Sequence, residues 1–151
     1  MPAAERQARV VWDGNLVKGT GVLSLGTGVL REQPVSWASR VERPDGKTSP
    51  EELLAAAQAS CYAMALSHTL TEKGTPPDRL DVAATATADF VGGGLKVTTM
   101  DSQVRGWVRG IDQAQFEQIA RDAEQGCPIA NAIRNNVEIR VHAQLEGGLR
   151  H

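Results

Sequence analysis

The chain has 151 residues, and at roughly 100–200 residues per domain that is room for one hydrophobic core, not two. Hydrophobic residues at 41% and charged residues at 23% exclude a disordered, collagen-like or disulfide-dense chain. Lys and Arg number 16 against 18 Asp and Glu, for a net charge of -2, so no basic field exists to hold a nucleic acid backbone.

The opening MPAAERQARVVWDG has no apolar stretch behind its charges, which predicts a cytoplasmic protein without a secretory signal. The most apolar segment, Leu53 to Leu70, is Ala-rich and contains Gln58, Ser60, Ser67 and His68, so it predicts a buried helix and not a membrane span. Along the chain, Gln7 to Asp13 and Leu16 to Leu25 flank Gly14-Asn15 as an opening hairpin. Gln33 to Val41 alternates and predicts a third strand, with Pro34 at its start. Ser49-Pro50-Glu51-Glu52 combines an N-cap, a proline at the first helical position and a Glu at the third. That helix runs to about Lys73 and stops at Gly74-Thr75-Pro76-Pro77. Apolar residues occupy nearly every direction around it, so a sheet, a second subunit, or both must cover it.

Leu80 to Phe90 alternates, Gly92-Gly93-Gly94 turns the chain, and Leu95 to Val108 returns, which predicts a long hairpin. Asp112 caps a helix with Gln115 closing the box and Ile111 stapled onto Phe116; Gly126 ends it and Pro128 starts a short second one. Val137 to Leu145 is a last strand before a polar tail. The expected fold class is α+β in a single domain over residues 1–151, with a mostly antiparallel sheet wrapped around the long central helix.

The candidate chemistry gathers around two cysteines. Cys61 sits inside the apolar helix, where a lone thiol is more often a small hydrophobe than a reagent. Cys127 lies between a helix-ending Gly126 and a helix-starting Pro128, either as a simple cap or with its thiolate favoured by a helix N-terminus. Brought together by folding, the two would suit an attacking and a resolving sulfur. A thiolate among apolar residues needs a fixed cation, and Arg40 on the predicted third strand is the nearest local one. Taken alone, Arg40 reads as a solvated strand residue and Glu51 as a complement to the helix dipole. His68 is on the same helical face as Cys61 but about 10 Å along the axis, too far to serve as its base. His142 and His151 stand apart, and no metal-ligand spacing exists. Trp12, Trp37 and Trp107 read as core or interface anchors.

The stretch from Thr48 through Ser49-Pro50-Glu51-Glu52-Leu53-Leu54 to Ser60-Cys61-Tyr62, followed later by Gly126-Cys127-Pro128-Ile129, resembles the OsmC/Ohr family of thiol-dependent peroxidases. Ser39-Arg40-Val41-Glu42 resembles the OsmC branch more than the Ohr branch, and Gln58 stands where the family often has His or an aromatic residue. The resemblance implies that Cys61 is peroxidatic and that Cys127 resolves it as a disulfide. It implies further that Arg40 and Glu51 organise the site, with no metal or other cofactor, and that the function belongs to oxidative or osmotic stress defence. The implied substrate is an organic hydroperoxide, with hydrogen peroxide as a further one, and the implied reductant an external dithiol such as a lipoylated protein. Ten residues of helix separate Glu51 from Cys61, about 15 Å. A Glu51 that orients the arginine is therefore expected from the partner subunit of an intertwined homodimer. Two other readings compete: a non-catalytic binding or carrier module of the same fold, and a thiol hydrolase or acyltransferase, which lacks a histidine at workable spacing.

Overall fold

The alternation of short and β-branched residues that predicts the opening hairpin does produce strands, β1 (Ala8–Asp13) and β2 (Thr20–Leu25), paired antiparallel with Trp12 opposite Gly21. The small residue is required there, because a Cβ on Gly21 would lie 2.7 Å from the Trp12 ring and 2.8 Å from Val35 Cγ2. The connection is longer than a two-residue turn. Asn15 accepts from the Lys18 amide through its side chain and from Gly19 through its carbonyl, both at 2.8 Å, so Leu16 and Val17 belong to the loop. The structure is a computed structural model in which residues 1–147 are described; His151 and the end of the polar tail lie outside them. Backbone contacts divide the chain into two compact units, Met1–Leu53 and Leu54–His151.

In the first unit a short β3 (Gln33–Val35) completes an antiparallel sheet in the order β1-β2-β3. The expected third strand through Val41 is corrected here: Trp37–Val41 is a helical turn, α1, and Arg40 stands on it. Ser36 caps the turn by accepting from the Ser39 amide at 3.1 Å, while the Ser39 hydroxyl accepts from the Ser36 amide at 3.1 Å. This reciprocal box satisfies the orphan donors of the turn and overrides a two-residue alternation too short to compete with it.

Helix α2 (Pro50–Glu72) starts as expected. Ser49 Oγ accepts from the Glu52 amide at 3.1 Å, but the Glu52 carboxylate is taken by the Thr48 hydroxyl at 2.7 Å, so the capping box is only half made. Gly74, with φ +81°, ends the helix as Thr75 donates back to the Leu70 carbonyl at 2.9 Å. No helix among the described residues is long and apolar enough to cross a membrane.

The second unit holds the long hairpin β4 (Arg79–Val91) and β5 (Gly94–Trp107), then α3 (Gln113–Gln125), α4 (Pro128–Ile133) and β6 (Glu138–Gly147). β6 lies beside β5 and parallel to it, because the α3–α4 segment is a crossover that returns the chain to the same end of the sheet. Among the described residues the other strand pairings are antiparallel. The Asp112/Gln115 capping box at the start of α3 is complete. α2 turns Gln58, Tyr62, Leu66 and Leu70 inward at four-residue spacing. The last three join Val104 of β5 and Phe116 and Ala120 of α3 in one buried cluster. Tyr62 is tied to α3 as well, donating to the Ala120 carbonyl at 2.8 Å.

Candidate functional site

In the second unit the two cysteines come together. Cys61, partly buried on α2, packs against the cluster that contains the fully buried Cys127. Neither is in a disulfide. Cys127 takes the N-cap position of α4, where Gly126 has closed α3 by donating to the Ala123 carbonyl at 3.1 Å. Burial pushes the Cys127 thiol above its ordinary range, and hydrogen bonding and charge from Cys61 push the same way. The amides of Ala130 and Ile129 pull it down, but less than burial raises it. The expectation that a helix end leaves Cys127 favouring thiolate is therefore corrected, since desolvation wins at a sulfur with no exposed surface. Tyr62 reports the same crowding: burial first, then the charges of Glu124 and Cys127, hold its hydroxyl protonated well beyond the ordinary tyrosine range.

The turn that carries Cys127 is braced by Glu124, which is only 8% exposed. Arg134 donates to its carboxylate at 2.6 Å and to its backbone carbonyl at 3.1 Å. Neither residue stands out in the sequence. An acid before and an arginine after the Gly126-Cys127-Pro128 corner is the one local signal that pairs them.

Gln58 is fully buried one helical turn before Cys61, and neither of its amide atoms has a hydrogen-bond partner among the described residues. His68 pairs with Glu72 at 3.6 Å and His142 with Asp101 at 3.4 Å, both well exposed and apart from the cysteines in the sequence. Trp107 is stacked by two guanidinium groups, Arg79 at 5.2 Å and Arg105 at 4.9 Å.

In the first unit Arg40 and Glu51 meet. The arginine Nε donates to the two carboxylate oxygens at 2.9 and 3.2 Å and Nη2 donates to Oε1 at 2.8 Å. Glu51 therefore pairs with the arginine of its own chain, where a Glu51 reaching the arginine from the partner subunit was expected. The reason is α1: once Trp37–Val41 is a helical turn, the loop that follows it folds Arg40 back onto the first turn of α2. The guanidinium borders an apolar cavity of about 230 Å³ lined by Trp12, Leu23, Val35, Trp37 and Leu53. Trp12 and Trp37 are thus walls of a cavity.

The model of the family described as "OsmC-like protein" matches residues 43–142. The chain is 36% identical to Peroxiredoxin OsmC of Escherichia coli over 141 residues, 93% of this chain and 96% of that one. It is 27% identical to the organic hydroperoxide resistance protein OhrB of Bacillus subtilis over 123 residues, 80% of this chain and 87% of that one. The crystal structure of that OhrB superposes with a TM-score of 0.74 at 23% identity, covering 91% of this chain and 98% of the other, a likeness of fold. The chain belongs to the OsmC-like protein family, and its identities favour the OsmC branch over the Ohr branch.

Proposed function

We propose that this protein is a thiol peroxidase that reduces organic hydroperoxides, and hydrogen peroxide as a further substrate, through Cys61 and Cys127. The observation that carries the reading is the contact of two free thiols delivered by separate elements, α2 and the α3–α4 corner. Similarity to Peroxiredoxin OsmC and to proteins named for organic hydroperoxide resistance supports the substrate class. The apolar cavity beside Arg40 supports a substrate with an apolar tail.

The Cys61 thiolate attacks the distal peroxide oxygen; the O–O bond breaks, and the leaving alkoxide takes a proton to become the alcohol. Cys61 is then a sulfenic acid. The Cys127 thiol gives up its proton and attacks the Cys61 sulfur, forming the disulfide and releasing water. Two electrons from an external dithiol, a lipoylated protein being one candidate, restore both thiols in the reducing cytoplasm. Arg40, oriented by Glu51, supplies the positive charge that favours the thiolate and the developing alkoxide. The cycle uses no cofactor.

Ten residues of helix rise about 15 Å. The Arg40–Glu51 pair therefore serves the partner subunit's thiols in an intertwined homodimer, whose stress-defence role follows from the chemistry. The test is intact mass after one equivalent of cumene hydroperoxide. The expected product loses two hydrogens in the wild type, gains one oxygen in Cys127→Ser, and is absent in Cys61→Ser. A protein whose mass does not change is a binding or carrier module instead.

A further inference from the structure

Cys127 is placed by more than the corner between two helices. Its amide donates to the Glu124 carbonyl at 3.2 Å, and its carbonyl accepts from the Asn131 amide at 2.9 Å. Arg134 holds both of those residues by their side chains. Its guanidinium donates to Glu124 Oε1 at 2.6 Å and to Asn131 Oδ1 at 2.8 and 3.3 Å, and it also reaches the Glu124 carbonyl at 3.1 Å. The second carboxylate oxygen of Glu124 accepts from Gln125 at 2.8 Å. A closed ring results, running from Cys127 through Glu124, Arg134 and Asn131 back to Cys127. The Glu124 side chain is 10% exposed and that of Arg134 28%, so this pair is screened far less than a surface one.

A ring of this kind is more than the helix ends require. Gly126 already closes α3 and Pro128 already starts α4, and neither needs a guanidinium to do so. What the ring adds is a fixed position for the Cys127 backbone, and with it the sulfur. A misplacement of about 1 Å between reacting atoms can cost a hundredfold in rate. We propose that Glu124 and Arg134 are positioning residues that hold Cys127 against Cys61 and so set the rate and equilibrium of the disulfide-forming step.

The step governed is the one in which Cys127 loses its proton and its sulfur attacks the Cys61 sulfenic sulfur. The S–O bond breaks, water leaves, and the Cys61 sulfur is reduced as the Cys127 sulfur is oxidised. Neither Glu124 nor Arg134 exchanges a proton or an electron in it. Slower resolution leaves the sulfenic acid exposed to a second peroxide, so the ring also sets the peroxide dose at which Cys61 is overoxidised.

The inference rests on the peroxidase reading for its consequence in turnover, but its test need not. Arg134→Gln, Arg134→Lys and wild-type protein are equilibrated with mixtures of reduced and oxidised glutathione, and the Cys61–Cys127 disulfide is read by mass. Arg134→Gln is expected to lower the equilibrium constant for the disulfide about tenfold, a shift of about 30 mV for two electrons. Arg134→Lys, which keeps the charge without the fork, should fall between the two. In rapid-quench reactions with cumene hydroperoxide, Arg134→Gln should form sulfenic acid at the wild-type rate and close the disulfide about tenfold more slowly. A purely structural brace would lower the melting temperature and leave the glutathione equilibrium unmoved, and that result overturns the proposal. Should Arg134→Gln fail to fold, Asn131→Ala removes only the Asn131 side of the ring, and an unchanged equilibrium there overturns it equally. Wild-type protein that forms the disulfide in glutathione but ignores peroxide sinks the peroxidase reading and leaves the ring in place.

Discussion

Arg40 and Glu51 offer a perturbation whose two effects separate cleanly. The pair makes three short contacts, at 2.8, 2.9 and 3.2 Å. The arginine side chain is still 33% exposed and the glutamate 13%, so solvent screens much of the attraction. Removing the guanidinium in Arg40→Ala is therefore expected to cost only about 1 kcal/mol of stability, at the upper end for partly exposed pairs. If the guanidinium faces a charge that develops in the peroxide step, its loss is expected to slow that step about 10²–10³-fold, the range for a positioned donor in a desolvated site. Glu51→Gln keeps one oxygen to accept from Arg40 and loses the charge and the second acceptor, so a fall of about tenfold, or 1.4 kcal/mol, is expected. Arg40→Lys keeps the charge without the planar fork and should land between the two. The assay is single-turnover consumption of cumene hydroperoxide by fully reduced protein, quenched and titrated for residual peroxide, beside calorimetric melting of the same samples. Equal single-turnover rates in wild type, Arg40→Ala and Glu51→Gln would refute the role, and Arg43 would be the next cation to test.

Other outcomes follow from separate features of the fold. Gly106→Ala places a Cβ 2.7 Å from Phe116 Cε1 and 3.1 Å from Cε2, so an overpacking cost of about 1–3 kcal/mol is expected in urea denaturation, with Phe116→Leu recovering part of it. Tyr62 has its hydroxyl held protonated by burial and by the charges of Glu124 and Cys127. Its folded pKa lies above the unfolded value, so its contribution is full below about pH 10 and is lost as pH rises past it. The unfolding free energy of Tyr62→Phe from urea denaturation should be lower at pH 7, by about 1 kcal/mol for the lost bond to Ala120, yet decline less steeply than wild type between pH 10 and 11. Joint refolding of inactive Cys61→Ser chains with slowed Glu51→Ala chains should raise the peroxide turnover above that of Glu51→Ala alone if sites are shared between subunits. A monomer in sedimentation, or no recovery in verified heterodimers, would eliminate the shared site and leave the cysteine mechanism standing.

The elements whose signals are local were legible in the sequence. Ser49-Pro50 announces α2, Gly74 ends it, and Asp112 with Gln115 opens α3, because each of these acts on backbone groups within one turn of itself. The long hairpin was legible too, since its alternation runs the length of two strands joined by glycines. The Cys61 and Cys127 motifs drew attention to two thiols that the fold does bring together, because cysteines are few and their neighbours are distinctive. Residues Trp37 to Val41 read as strand in the sequence and are helical in the structure, because five residues satisfy a two-residue period by chance and the Ser36–Ser39 box that decides the matter depends on hydroxyl geometry. Three features waited for the tertiary structure: Arg40 folded back onto Glu51, β6 lying parallel to β5, and Arg134 closing a ring around Cys127. Each joins groups whose approach is set by how intervening elements pack, and no residue carries in its own identity the partner that packing will deliver. The acidity of Cys127 belongs with them, since a nearby helix end favours its thiolate while burial, which only the packed core supplies, opposes it more strongly.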